Sequence, residues 1–146
     1  MAPRVGIAGY GLAGRYFHAP LLVGAGFEIA SILTKNEQRI LDAKTDFPNA
    51  QICNSLEELL KSKIDLLVVA SANQSHAEQA IAGLKAGIPV VVDKPMGRTL
   101  KETEEIIAVS KKTGVGVSTY FNRKWDSDSL TIKKIISEGL LGKIFR

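Results

Sequence analysis

The sequence predicts a doubly wound parallel α/β sheet, on three observations. Short apolar runs alternate with helical segments along the chain. One run, Leu66-Leu67-Val68-Val69-Ala70, is apolar at every position, as a strand covered on both faces should be. A glycine-rich turn separates the first apolar run from the first helical pattern.

The elements follow in order. Val5–Ala8 is a short apolar strand, and Leu12–Val23 is the helix after the glycine turn. Glu28–Leu33 is the second strand and Glu37–Phe47 the second helix. Ala50-Gln51-Ile52-Cys53 reads as a short strand end before a helix over Ser55–Lys61. Leu66–Ala70 is the central strand, followed by a helix over Ser75–Ala86 that stops at Gly87. Val90–Val92 leads to a helix over Leu100–Thr113, where Thr99 and Glu102 have capping-box spacing and Gly114 ends the helix. Val115–Thr119 is the last strand of the sheet, and Ser127–Glu138 is a helix ending at Gly139. Gly142-Lys143-Ile144-Phe145-Arg146 looks like the start of a further strand with nothing here to pair with. No internal repeat or low-complexity linker is visible.

The 146 residues suit one domain with a real core. Lysine and arginine exceed the acids by 19 to 15, for a net charge of +4, and they are scattered, which argues against a nucleic-acid partner. The single cysteine, Cys53, excludes an internal disulfide and suits a reducing compartment, with packing as its expected role. The N-terminus has no secretory pattern, and no apolar stretch reaches the roughly 20 residues that span a bilayer. The expectation is a cytoplasmic protein with no membrane partner and no metal site.

The chemistry sits at the carboxyl ends of the expected strands, where open α/β sheets bind ligands. Gly9-Tyr10-Gly11-Leu12-Ala13-Gly14 follows a strand and opens a helix, the context that makes this spacing a dinucleotide fingerprint. Gly9 permits the tight turn, Gly11 lets backbone approach a pyrophosphate, and Gly14 allows close helix packing. After the second strand come Thr34 and Lys35, then Arg39, where an NAD site places an acid for the ribose. A hydroxyl and two cations could hold an extra 2′-phosphate, so NADP(H) is preferred and NAD(H) remains possible. Solvated surface charge is the other reading of Lys35 and Arg39. Ser71, Asn73 and His76 follow the central strand as ribose-side candidates, although Ser75 and His76 also suit a helix start. Val90-Val91-Val92 runs into Asp93-Lys94-Pro95, where Lys94 could share a proton with a substrate hydroxyl and Asp93 could take a ribose hydroxyl or orient the lysine. Asn122 and Trp125, within Tyr120-Phe121-Asn122-Arg123-Lys124-Trp125-Asp126, mix planar polar groups with aromatics, as small-molecule pockets do.

Together these segments resemble the glucose–fructose oxidoreductase and inositol dehydrogenase family (Gfo/Idh/MocA) over essentially the whole chain. Phe17-His18-Ala19-Pro20 after the glycines, and Asn122-Arg123-Lys124-Trp125-Asp126, look most like the scyllo-inositol dehydrogenase branch. The resemblance implies that Lys94 is the catalytic lysine of a Glu-Lys-Pro motif, with Asp93 in place of the usual Glu. It implies Asn73 as a nicotinamide-ribose contact, although Ala72 stands where the family often has proline. It also implies a C-terminal α+β domain that supplies a catalytic His and Asp, walls the substrate site and forms a homo-oligomer. The expected organisation is a dinucleotide-binding Rossmann domain over 1–120. Residues 121–146 would be a nicotinamide-side loop, a helix and the start of that second domain. The expected activity is hydride transfer between nicotinamide and a secondary hydroxyl of a sugar or polyol, with this stretch alone inactive. The alternative is a non-catalytic, redox-sensing nucleotide module, which would keep the glycines and not need Lys94. A methyltransferase would want an acid where Thr34-Lys35 stands.

Overall fold

The computed structural model describes residues 2–145. Six parallel strands form one sheet in the order β3-β2-β1-β4-β5-β6. The strands are β1 (Arg4–Ala8), β2 (Glu28–Leu33), β3 (Gln51–Cys53), β4 (Leu66–Val69), β5 (Val90–Asp93) and β6 (Val117–Tyr120). The chain winds outward from β1 to β3, returns to the middle at β4, and winds the other way to β6. The reversal between β1 and β4 is the switch point, where neighbouring loops part and leave a crevice.

The helices cover the sheet in two layers. On one face α1 (Ala19–Gly24) and α2 (Glu37–Asp46) enclose Val5, Ile7, Ile29, Ile32 and Val68. On the other, α3 (Leu56–Lys61), α4 (His76–Lys85) and α5 (Leu100–Thr113) enclose Leu59, Leu67, Val69, Leu84, Val90 and Ile106. Valine and isoleucine dominate because β-branched side chains pack well on a pleated surface. Burial does not alternate along β4: Leu67, Val68 and Val69 are all buried, so both its faces are core.

Several expectations need correction. The first helix is not one α-helix over Leu12–Val23: Ala13–His18 is π-helical, and α1 follows it. A 3-10 turn, Asn73–Ser75, precedes α4, so that helix begins at His76. The sixth strand starts and ends later than Val115–Thr119, at Val117–Tyr120. No strand forms over 142–145, and Arg146 lies outside the described residues. The last helix, α6 (Ser127–Ser137), buries none of its residues and leaves Leu130, Ile132 and Ile136 exposed.

Candidate functional site

Gly9 receives β1 at the switch point. Its amide donates to Leu33 O at 2.9 Å, and its φ is +99°. A Cβ there would stand 2.6 Å from Ser71 Cα and 2.7 Å from Ala70 O. Only glycine lets the turn after β1 lie against the turn after β4. Gly14 faces the Gly9 carbonyl so closely that a Cβ would overlap it. The Ile7 side chain of β1 stands 3.5 Å from the same Cβ position, so the helix start packs close to both the loop and the strand.

Around this turn the carboxyl ends of the strands surround a cleft of about 1200 Å³. Gly9, Gly11, Leu12 and Ala13 form one wall. Thr34, Lys35 and Arg39 line the β2 end, and Ser71 and Asn73 the β4 end. Asp93, Lys94 and Asn122 line the end nearest β5 and β6. These named residues thus meet in one place.

The others do not line it. Tyr10 is 1% exposed, and its hydroxyl donates to Asp46 Oδ2 at 2.9 Å. Burial first, and then Asp46, push that hydroxyl's pKa far above its ordinary value. His76 is buried beneath the loops, with Nδ1 2.8 Å from Pro95 O and Nε2 3.1 Å from Ser71 O. Its place is a tie between the loop after β4 and the loop after β5. Trp125 is 67% exposed in a 3-10 turn, with Lys124 Nζ 5.0 Å from its ring.

The polar supports explain which groups remain free. Arg15 is held by Asp46 at 2.7 Å and Asp42 at 2.6 Å, fastening the first helix to α2. Asn36 Oδ1 accepts from Arg39 N at 3.1 Å and caps α2. Arg39 then lies over the glycine turn, its guanidinium 3.5–3.6 Å from where a Gly11 Cβ would be. Ser71 donates to Gln79 Oε1 at 2.7 Å. Lys35, Arg39 and Lys94 have no acidic partner among the described residues. Two unpaired cations at the β2 end, a third at the β5 end and a glycine turn between them suit an elongated anionic ligand that carries phosphates. No group of three or more candidate metal ligands occurs among the described residues.

Sequence reasoning missed several residues. Asn36, Ser55 and Gln79 line the cleft and carry no local motif, while Phe17 and Asp126 line it from segments that the sequence singled out without giving either residue a role. His18 stands out in the sequence only as part of a family signature. Tyr120 lines the cleft with its hydroxyl pushed up by burial, then by Asp93 and Asp126. Cys53 is buried at the end of β3 and its thiol is likewise pushed up, mainly by burial, which fits a packing role. Among the described residues no helix is long and apolar enough to cross a membrane.

The profile of the oxidoreductase family Gfo/Idh/MocA, NAD-binding Rossmann fold, matches residues 3–121. Scyllo-inositol 2-dehydrogenase (NADP(+)) IolW of Bacillus subtilis is 43% identical over 97% of this chain and 39% of its own length. The uncharacterized oxidoreductase YdgJ of Escherichia coli is 41% identical over 97% of this chain and 40% of its own. The crystal structure of myo-inositol 2-dehydrogenase from Lactobacillus plantarum superposes with a TM-score of 0.90 at 25% identity, covering 99% of this chain and 44% of that one. The chain spans about 40% of the length of the curated relatives it matches.

Proposed function

The chain belongs to the Gfo/Idh/MocA oxidoreductase family, as its NAD-binding Rossmann domain, and from that premise we propose that its cleft holds NADP(H) for a sugar or polyol dehydrogenase. The observation that carries the cofactor preference is Arg39, unpaired and stacked over Gly11, beside Lys35 and with no acid at the end of β2. A 2′-phosphate needs cations there, and an acid would repel it. The similarity to an NADP(+)-named scyllo-inositol dehydrogenase supports the same reading.

Each residue then has a task. Backbone amides at Gly11–Ala13 face the pyrophosphate, helped by the positive end of the first helix. Thr34, Lys35 and Arg39 take the 2′-phosphate. Ser71, Asn73 and Asp93 take the nicotinamide-side ribose, and Asn122 closes that end. The bound nicotinamide supplies the hydride acceptor or donor. Lys94 presents its ammonium to the substrate oxygen and shares the proton of the secondary hydroxyl. Without a positioned substrate, hydride transfer is slow, so these residues alone turn over polyols poorly.

The test is a paired titration of the chain with NADPH and NADH. Each charge-assisted contact to the 2′-phosphate contributes about 1.5–3 kcal/mol, so NADPH should bind at least about tenfold tighter. Replacing Lys35 and Arg39 together by Ala should remove the preference and leave NADH binding unchanged. Equal affinities in the wild-type chain would overturn the NADP(H) reading.

A further inference from the structure

A buried histidine stands beneath the reactive end of the cleft with no task in the scheme above. Ala19 N donates to Gly14 O, a five-residue step that defines the π-helical turn. Gly14 and His18 both lie on the buried side of this turn. Such turns recur at functional sites. His18 is 4% exposed, and its Nε2 is a buried nitrogen with no hydrogen-bond partner. Folded proteins rarely leave such an atom orphaned without a reason.

The nitrogen points at a carboxylate. Nε2 lies 3.8 Å from Asp93 Oδ2, just beyond hydrogen-bond length. The Tyr120 ring covers the imidazole from β6, with centroids 4.4 Å apart. Burial pushes the imidazole's pKa below its ordinary value, with Asp93 drawing it part of the way back. The neutral ring therefore has one N–H, and the adjacent carboxylate favours placing it on Nε2. Asp93 is addressed from its other side as well, since Oδ1 accepts from Lys94 N at 2.7 Å. One carboxylate oxygen is thus held by the backbone, and the other faces the imidazole 3.8 Å away.

We propose that His18 is a positioning residue: from beneath β5 it sets the plane of the Asp93 carboxylate, and through it the hold on a nicotinamide-side ribose and the place of Lys94. The proposal rests on the dinucleotide reading of the same cleft.

The test compares two ligands. NADPH reaches Asp93, whereas adenosine 2′,5′-bisphosphate carries only the adenine half. His18→Phe keeps a ring against Tyr120 and removes Nε2, while His18→Gln keeps a donor. His18→Phe should weaken NADPH about tenfold, because the Asp93 carboxylate loses the polar group that faces its second oxygen. It should leave bisphosphate affinity unchanged, and His18→Gln should recover most of the loss. In an Asp93→Ala background, His18→Phe should cost nothing more. Unchanged NADPH affinity, equal loss of both ligands, or additive losses would each overturn the proposal. Nitrogen-15 spectra of the wild-type imidazole test it without relying on a variant's folding. An Nε2–H tautomer that shifts in Asp93→Asn is expected, and an Nδ1–H tautomer contradicts the proposal. A wild-type chain that binds neither ligand would overturn the dinucleotide reading itself, a result distinct from a silent His18→Phe.

Discussion

Gly9 concentrates the site's geometry in one residue, with φ at +99° and Ser71 and Ala70 backbone where a side chain would go. Gly9→Ala should therefore lower stability by about 3 kcal/mol, through strain and overlap together. Urea unfolding measures it, and a midpoint equal to wild type would contradict the close approach. The tight turn at Gly9 and the close packing at Gly14 were legible in the sequence because they depend on local spacing. The place of Lys35 and Arg39 on the cleft was legible because they sit at a fixed distance past a strand. Tyr10 lies inside the same motif, yet its hydroxyl goes to Asp46, 36 residues on. His76 bonds to Pro95, 19 residues away. Partners that distant are set by the packed sheet and leave no local signal.

At the scale of elements, two helices begin with the same device. Ser55 Oγ accepts from Glu58 N at 3.2 Å, and Thr99 Oγ1 from Glu102 N at 3.1 Å. Each glutamate reaches back one residue further than a capping box does, to Asn54 N at 2.8 Å and Arg98 N at 2.7 Å. Arg98 also pairs with Glu102, holding that carboxyl below its ordinary range. Thr99→Ala should destabilise the protein by about 1 kcal/mol without changing ligand affinity, as a thermal melt and a binding titration would show. Caps and glycine stops were readable, and Gly114 does end α5 with φ +71°. The π-helical turn was not. Apolar spacing read at 3.6 residues per turn assumes the period that Ala13–His18 abandons.

The whole molecule adds what no single element contains. Alternation of strands and helices predicted a parallel sheet, but the order β3-β2-β1-β4-β5-β6 is decided by which faces bury together. That order brings the ends of β1, β2, β4 and β5 around one cleft. It also buries His18 beside Asp93 and Tyr120, which makes stability depend on acidity. The folded imidazole titrates below its ordinary 6.5, so the unfolded chain binds the proton first. His18's contribution is thus complete above about pH 6.5 and is lost as pH falls from there through its folded value. The melting temperature should drop across that window, and His18→Phe should flatten the drop. Glu57 and Glu102, held below their ordinary 4.5 by Lys61 and Arg98, act only at lower pH. An unchanged acid slope in His18→Phe would show that another group controls it.

The central claim is that one cleft at the switch point takes the whole dinucleotide. Backbone amide spectra recorded during titration with NADP+ test it most directly. Saturable shifts are expected at Gly9–Ala13, Thr34–Arg39, Ser71–Asn73 and Asp93–Lys94, with α6 unmoved. Absence of saturable shifts, or shifts confined to surfaces away from these loops, would contradict it.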